Sequence, residues 1–262
     1  MTAHLTTEAL TLAYGATAIV SDATVDFPPG RFTVIVGRNG CGKSTLLRGL
    51  ARLIRPSAGA VLLDGADIAP QQARTVARRV GMLPQQPVAP DGITVGELVG
   101  RGRHPHQRWF RQWSAEDEAA VRAALTATDT LDLVERTVDQ LSGGQKQRVW
   151  LALAIAQDPE VMLLDEPTTF LDLAHQLDVL DVLRNLLPRT IIAVLHDLNL
   201  AARYADHLVA MKDGRAVAQG TPAEIVRPDL VAEVFGVRCA VIDDPMTGTP
   251  LVVPAGRAVG AR

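Results

Sequence analysis

The stretch Gly37-Arg38-Asn39-Gly40-Cys41-Gly42-Lys43-Ser44, followed by Thr45, decides how this chain reads. It fits the pattern G-x-x-x-x-G-K-[ST] without a mismatch. Before it, Phe32-Thr33-Val34-Ile35-Val36 reads as a buried strand; after it, Ser44 to Leu50 reads as a helix. The glycines let the backbone bend so that its N–H groups converge on phosphate oxygens, and the helix N-terminus adds partial positive charge. Lys43 is spaced to reach β- and γ-phosphates, and the Ser44 hydroxyl to ligate Mg²⁺. The expected ligand is a nucleoside triphosphate.

A second stretch narrows the reading. Leu141-Ser142-Gly143-Gly144-Gln145 is followed by Val161-Met162-Leu163-Leu164-Asp165-Glu166. Apolar residues ending in adjacent carboxylates read as a buried parallel strand with acids at its C-terminal end, which is where open α/β sheets bind ligands. An Asp there can hold Mg²⁺, and a Glu beside it can polarise an attacking water. Ser142, Gly143, Gly144 and Gln145 precede a helix expected to run to Gln157, so they form a second anion site. The order and spacing of these motifs resemble the ATP-binding-cassette (ABC) ATPases, over nearly the whole chain.

Composition agrees with a single compact α/β domain. The chain has 262 residues, 47% hydrophobic, and a formal net charge of −3. A pI near 6.1 leaves no nucleic-acid footprint. No apolar run approaches the ~18 residues of a membrane span. The longest, Val149 to Ala156, fits a buried helix. The N-terminus carries neither the basic segment nor the apolar stretch of a secretory signal. Its two cysteines, Cys41 and Cys239, give no disulfide framework and no metal spacing. Cys41 reads either as a small residue in the loop or as an oxidisable thiol beside a helix N-terminus.

The resemblance implies a P-loop ATPase core, a parallel sheet plus an antiparallel β subdomain, with a helical signature subdomain inserted. On that division the core is 1–84 and 159–236, the helical part 85–158, and a C-terminal strand and tail 237–262. Strands are expected at Glu8–Tyr14, Ile19–Phe27, Val161–Leu164, Thr190–Leu195 and Val237–Ile242. Helices are expected at Val95–Gly100, Ala115–Ala127, Gly144–Gln157, Leu173–Leu187 and Leu198–Tyr204, with Ser114 as a cap and a hairpin around Lys212-Asp213-Gly214-Arg215.

Further roles carry over from the family residue by residue. Tyr14, at the end of the first strand, matches the aromatic that stacks on adenine. Gln85, with Gln86 beside it, matches the glutamine that contacts Mg²⁺ or the attacking water and senses the membrane partner. Asp172, in Thr168-Thr169-Phe170-Leu171-Asp172, matches the loop that crosses a dimer interface, although Phe170 stands where the family usually has Ser or Ala. His196 matches the switch histidine that contacts the γ-phosphate. The resemblance implies ATP and Mg²⁺ as ligands and a head-to-tail homodimer, with Ser142 and Gly144 serving the partner's ATP. Glu166 would be general base, Asp165 and Ser44 would hold Mg²⁺, and Lys43 and His196 would stabilise transferred charge.

The same resemblance implies separate integral-membrane permease subunits, a substrate-binding protein acting through them, and a place on the cytoplasmic face of the membrane. Arg101-Gly102-Arg103-His104-Pro105-His106-Gln107, Leu171-Asp172-Leu173-Ala174-His175-Gln176 and the run Leu195 to Asp206 resemble importer ATPases for iron–siderophore complexes. Haem and cobalamin importers share much of this pattern. A soluble, non-transport cassette such as one for cluster assembly is the alternative class. His104 and His106 flank a proline without nearby carboxylates or cysteines, which argues against a metal site. Trp109, Phe110 and Trp113 cluster with Arg101, Arg103, Arg108 and Arg111, and read either as local core or as a docking surface for a permease helix.

Overall fold

A computed structural model describes residues 2–107, 113–169 and 171–257. In chain order, β1 (Leu5–Tyr14) and β2 (Thr17–Phe27) form a hairpin, and β3 (Phe32–Gly37) runs through the phosphate loop into α1 (Lys43–Leu50). Next come β4 (Ala58–Leu63), β5 (Ala66–Asp67), α2 (Ala73–Arg79) and β6 (Val80–Leu83). Helices α3 (Val95–Gly100), α4 (Ala115–Ala127) and α5 (Gly143–Ala156) follow. Strand β7 (Val161–Asp165), α6 (Leu173–Asn185), β8 (Thr190–Val194) and α7 (Leu198–Tyr204) restore the alternation. The hairpin β9 (His207–Lys212) and β10 (Arg215–Gly220), helices α8 (Pro222–Ile225) and α9 (Pro228–Phe235), and the hairpin β11 (Val237–Asp243) and β12 (Pro250–Arg257) complete the order.

The central sheet has the order β10-β9-β3-β8-β7-β6, parallel except at the β10–β9 edge. Every residue of β3, β7 and β8 is buried, as expected of strands covered on both faces. A second, antiparallel sheet, β2-β1-β4-β5, packs over one face, and Leu5, Leu12, Phe27, Leu46 and Leu50 fill the space between. Helices α5, α6 and α7 cover the other face. A separate cluster centred on Val95, Val99, Leu125 and Val149 holds α3, α4 and α5 together.

Four neighbouring strands of this sheet end on the same side. β3 delivers the phosphate loop, β8 delivers His196, β7 delivers Asp165 and Glu166, and β6 delivers Gln85. The carboxyl edge of β3-β8-β7-β6 therefore gathers residues that lie far apart in sequence, at the position where α/β sheets place their ligand crevice.

Several boundaries differ from expectation. β1 begins at Leu5 because it pairs on both sides, Leu5 with Phe27 and with Leu63. α6 stops at Asn185, ahead of Leu187-Pro188, since the residue before a proline avoids helical backbone. The C-terminal segment, Pro- and Gly-rich in sequence, is a paired hairpin docked on α7. Asn199 Nδ2 donates to Val252 O at 3.2 Å and Asn199 Oδ1 accepts from Val252 N at 2.8 Å, so a side-chain amide substitutes for a neighbouring strand.

Candidate functional site

The phosphate loop owes its shape to two glycines. Gly37 has φ 152°, and a Cβ there would lie 2.3 Å from the Met211 carbonyl oxygen. Gly42 has φ 101° and caps α1 without any side-chain acceptor, leaving the first N–H groups of the helix open to an anion. Lys43 is buried and donates to the carbonyls of Gly37 (2.8 Å) and Arg38 (3.0 Å), so its ammonium is held over the loop. Cys41 is also buried, and burial pushes its thiol up, away from the reactive thiolate form. Of the two readings for Cys41, packing is the one the structure supports; its sulfur lies against Gly37.

A cavity of about 420 Å³ opens above the loop, lined by Asn39, Gly40, Gly42, Lys43, Ser44, Thr45, Gln85, Glu166 and His196, with Ile19. Ser44 Oγ donates to Asp165 Oδ1 at 2.8 Å. Burial raises the Asp165 carboxyl above the usual carboxylate range, although the Ser44 hydroxyl opposes this. Its second oxygen, Oδ2, is buried and has no hydrogen-bond partner among the described residues. A half-buried hydroxyl paired with a buried carboxyl that has one orphaned oxygen is a hard-oxygen donor set of the kind Mg²⁺ takes.

Glu166 is the hub of the cavity. Its Oε2 accepts from Gln85 Nε2 at 2.5 Å and from Thr169 Oγ1 at 3.0 Å, and its Oε1 lies 2.6 Å from His196 Nε2. Its backbone is left-handed, with φ 54°. Tyr14 sits outside the lining, half exposed at the end of β1, and its hydroxyl accepts from Arg48 of α1 at 3.3 Å.

Ser142, Gly143, Gly144 and Gln145 do not line this cavity. They open α5 instead. Ser142 Oγ accepts from Gln145 N at 3.3 Å, and Gln145 Oε1 accepts from Ser142 N at 3.0 Å, a closed capping box at the head of an exposed turn. Asp172 caps α6 and is held below the usual carboxylate range by the backbone N–H of His175.

The arginine–aromatic cluster divides. Arg108, Trp109, Phe110 and Arg111 lie outside the described residues. Arg101 is exposed, and Trp113 is half exposed with its ring against Gly100. Arg103 does not belong to a docking surface. It is 4% exposed, its Nε donates to Asp117 Oδ1 at 2.9 Å and its Nη1 donates to Ala156 O at 2.9 Å. Its guanidinium thus ties α4 to the end of α5, because Asp117 both closes the Ser114 cap and reaches back to pair with it. His106 Nε2 lies 2.7 Å from Gln157 O, a structural contact, and the described residues contain no metal-binding cluster of His, Cys, Asp and Glu.

A family model described as ABC transporter matches residues 20–169. The chain is 55% identical over 256 residues to the achromobactin transport ATP-binding protein of Dickeya dadantii (strain 3937), covering 97% of this chain and 95% of that one. It is 53% identical over 258 residues to the ferric enterobactin transport ATP-binding protein of Escherichia coli (strain K12), covering 97% and 95%. Among solved structures, the dimeric structure of a bacterial ABC transporter cassette superposes with a TM-score of 0.74 at 26% identity, covering 83% of this chain and 98% of that one.

Proposed function

This chain belongs to the ABC transporter family, and on that premise we propose that it is the ATP-hydrolysing subunit of an importer for iron–siderophore complexes. The observation that carries the reading is the convergence of Gln85, Glu166 and His196 within 2.6 Å contacts at the mouth of the phosphate loop.

Each residue then has a task. The loop N–H groups and Lys43 bind the β- and γ-phosphates of ATP. Ser44 and Asp165, with the Gln85 amide oxygen, hold Mg²⁺, which when bound neutralises charge on the phosphates. Glu166 takes the proton of the attacking water or orients it, while His196 donates toward the γ-phosphate. Tyr14 offers its exposed ring to the adenine.

Ser142 and Gly144 do not line the chain's own cavity, which supports a head-to-tail homodimer in which each signature turn closes on the partner's ATP. ATP bound between both halves favours the closed state by its differential affinity, and loss of the γ-phosphate releases it. No described helix is long and apolar enough to cross a membrane, so this motion is passed to separate permease subunits at the cytoplasmic face, which a substrate-binding protein supplies with cargo.

The segments Arg101–Gln107 and Leu171–Gln176 and the transport roles in the relatives' names support the cargo class. The test is uptake of ⁵⁵Fe-loaded siderophores in cells deleted for this chain. Loss of uptake, restored by the chain and not by its Glu166→Gln variant, is expected. Unchanged iron uptake with intact co-purification of a permease would move the cargo to another class.

A further inference from the structure

Gly144 and His175 lie close together although they belong to the first turns of different helices. A methyl group on Gly144 would lie 3.2 Å from His175 Cδ2 and 3.4 Å from Nε2, whereas one on Gly143 would meet nothing within 4 Å. The room for a side chain at the second glycine of the signature turn is therefore limited by the chain's own imidazole. The ring is fixed from its other side. Its Nδ1 lies 2.6 Å from Asp172 Oδ1, the same oxygen that accepts from the His175 backbone N–H at 3.0 Å. An ionised carboxylate only accepts, so Nδ1 carries the proton. Nε2, the nitrogen beside Gly144, has no hydrogen-bond partner among the described residues.

A second link runs parallel to this one. Gln147, on the first turns of α5, donates from Nε2 to Pro167 O at 2.7 Å. The segment between is itself braced, with Thr169 N donating to Glu166 O and Thr169 Oγ1 to Glu166 Oε2. The head of α5 is thus attached at two points to the stretch that leads from Glu166 to Asp172. Of the two, only the His175 ring comes close to a glycine of the turn, Gly144.

We propose that His175 is a positioning residue for ATP hydrolysis: pinned by Asp172, its ring sets the orientation of the Gly143–Gly144 turn, so that this turn and the segment following Glu166 move as one unit. The proposal rests on the head-to-tail reading, because the turn it positions serves ATP held by the second copy. A signal arriving at the signature turn of one chain then reaches the water-activating carboxylate of the same chain without passing through its phosphate loop.

The test uses the full chain. His175→Ala is expected to lower turnover roughly tenfold, while affinity for a fluorescent ATP analogue changes less than twofold, since His175 does not line the ATP cavity. His175→Asn keeps a donor near Asp172 but lacks the ring, so it retains the loss, and it is the variant to read if the alanine variant fails to fold. In a Gly144→Ala background, His175→Ala should cost nothing further, because the contact is already displaced. Mixing Ser142→Ala chains with Lys43→Ala chains puts both lesions at one composite site and tests the head-to-tail reading separately, since ATP-dependent dimers should then reappear. Turnover within twofold of the parent in both His175 variants would overturn the proposal. Failure of the Ser142 mixture to recover dimers would instead overturn the head-to-tail reading, and the role of His175 with it.

Discussion

His196 Nε2 stands 2.6 Å from Glu166 Oε1, while the other oxygen of that carboxylate accepts from Gln85. Three residues at the ends of three neighbouring strands, β8, β7 and β6, thus meet on one carboxylate. Both Glu166 oxygens are engaged, Oε2 by Gln85 and Thr169 and Oε1 by His196, and Oε1 keeps a lone pair that can accept from a water.

Glu166→Gln keeps the shape of the hub and removes its charge. Turnover should fall at least ~100-fold, as expected for loss of a general base, while ATP still binds and ATP-bound dimer accumulates. Phosphate release together with gel filtration in ATP checks both halves. Near-normal phosphate release would remove Glu166 from the proposed role.

Lys43→Ala acts earlier. The ammonium is held in place by the Gly37 and Arg38 carbonyls, so its removal deletes a charge-assisted contact to phosphate worth about 1.5–3 kcal/mol. ATP affinity should weaken by roughly ten- to a hundredfold, read by nucleotide titration, with little change in thermal stability.

Arg103→Glu should destabilise the helical subdomain. It would place a second carboxylate beside the buried Asp117 and leave the Ala156 carbonyl without its donor. A loss of about 3–5 kcal/mol is expected from breaking such a buried pair, measured by urea unfolding. A variant that stays as stable as the parent while failing to bind a permease would restore the docking reading.

Asp117 makes this stability depend on pH. Burial works to raise its carboxyl, but hydrogen bonds from Arg103 and Ser114 outweigh it and hold it below the usual range. A carboxylate lowered on folding stabilises the protein above its unfolded pKa and ceases to do so as pH falls through its folded value. Asp117→Asn should therefore cost about 3 kcal/mol at pH 7, where it leaves Arg103 unpaired. The gap to the parent should narrow below about pH 4, in thermal melts taken across the acid range.

The phosphate loop, the strand ending in Asp165-Glu166 and the histidine after β8 were legible because each is a local pattern: an apolar run, then a polar group at its carboxyl end. The division into a parallel sheet and a separate antiparallel one follows from the family resemblance rather than from these runs. What escaped is non-local. Arg103 reads either as local core or as part of a docking surface, and nothing near it announces that Asp117, which also caps α4, is its partner. His175 reads as an ordinary helix residue until α5 brings Gly144 against its ring. The hairpin at 237–257 hides behind its prolines, since its anchoring partner, Asn199, is a side chain on α7 rather than another strand.

The left-handed backbone of Glu166, at φ 54°, sets stability and turnover against each other at one position. A residue with a Cβ pays about 1–2 kcal/mol to sit there, and glycine pays almost none. A library selected only for resistance to heat, without ATP, should therefore enrich glycine at 166 and return cassettes that are robust and inert. Selection on iron uptake should drive the same position back to glutamate, despite the strain.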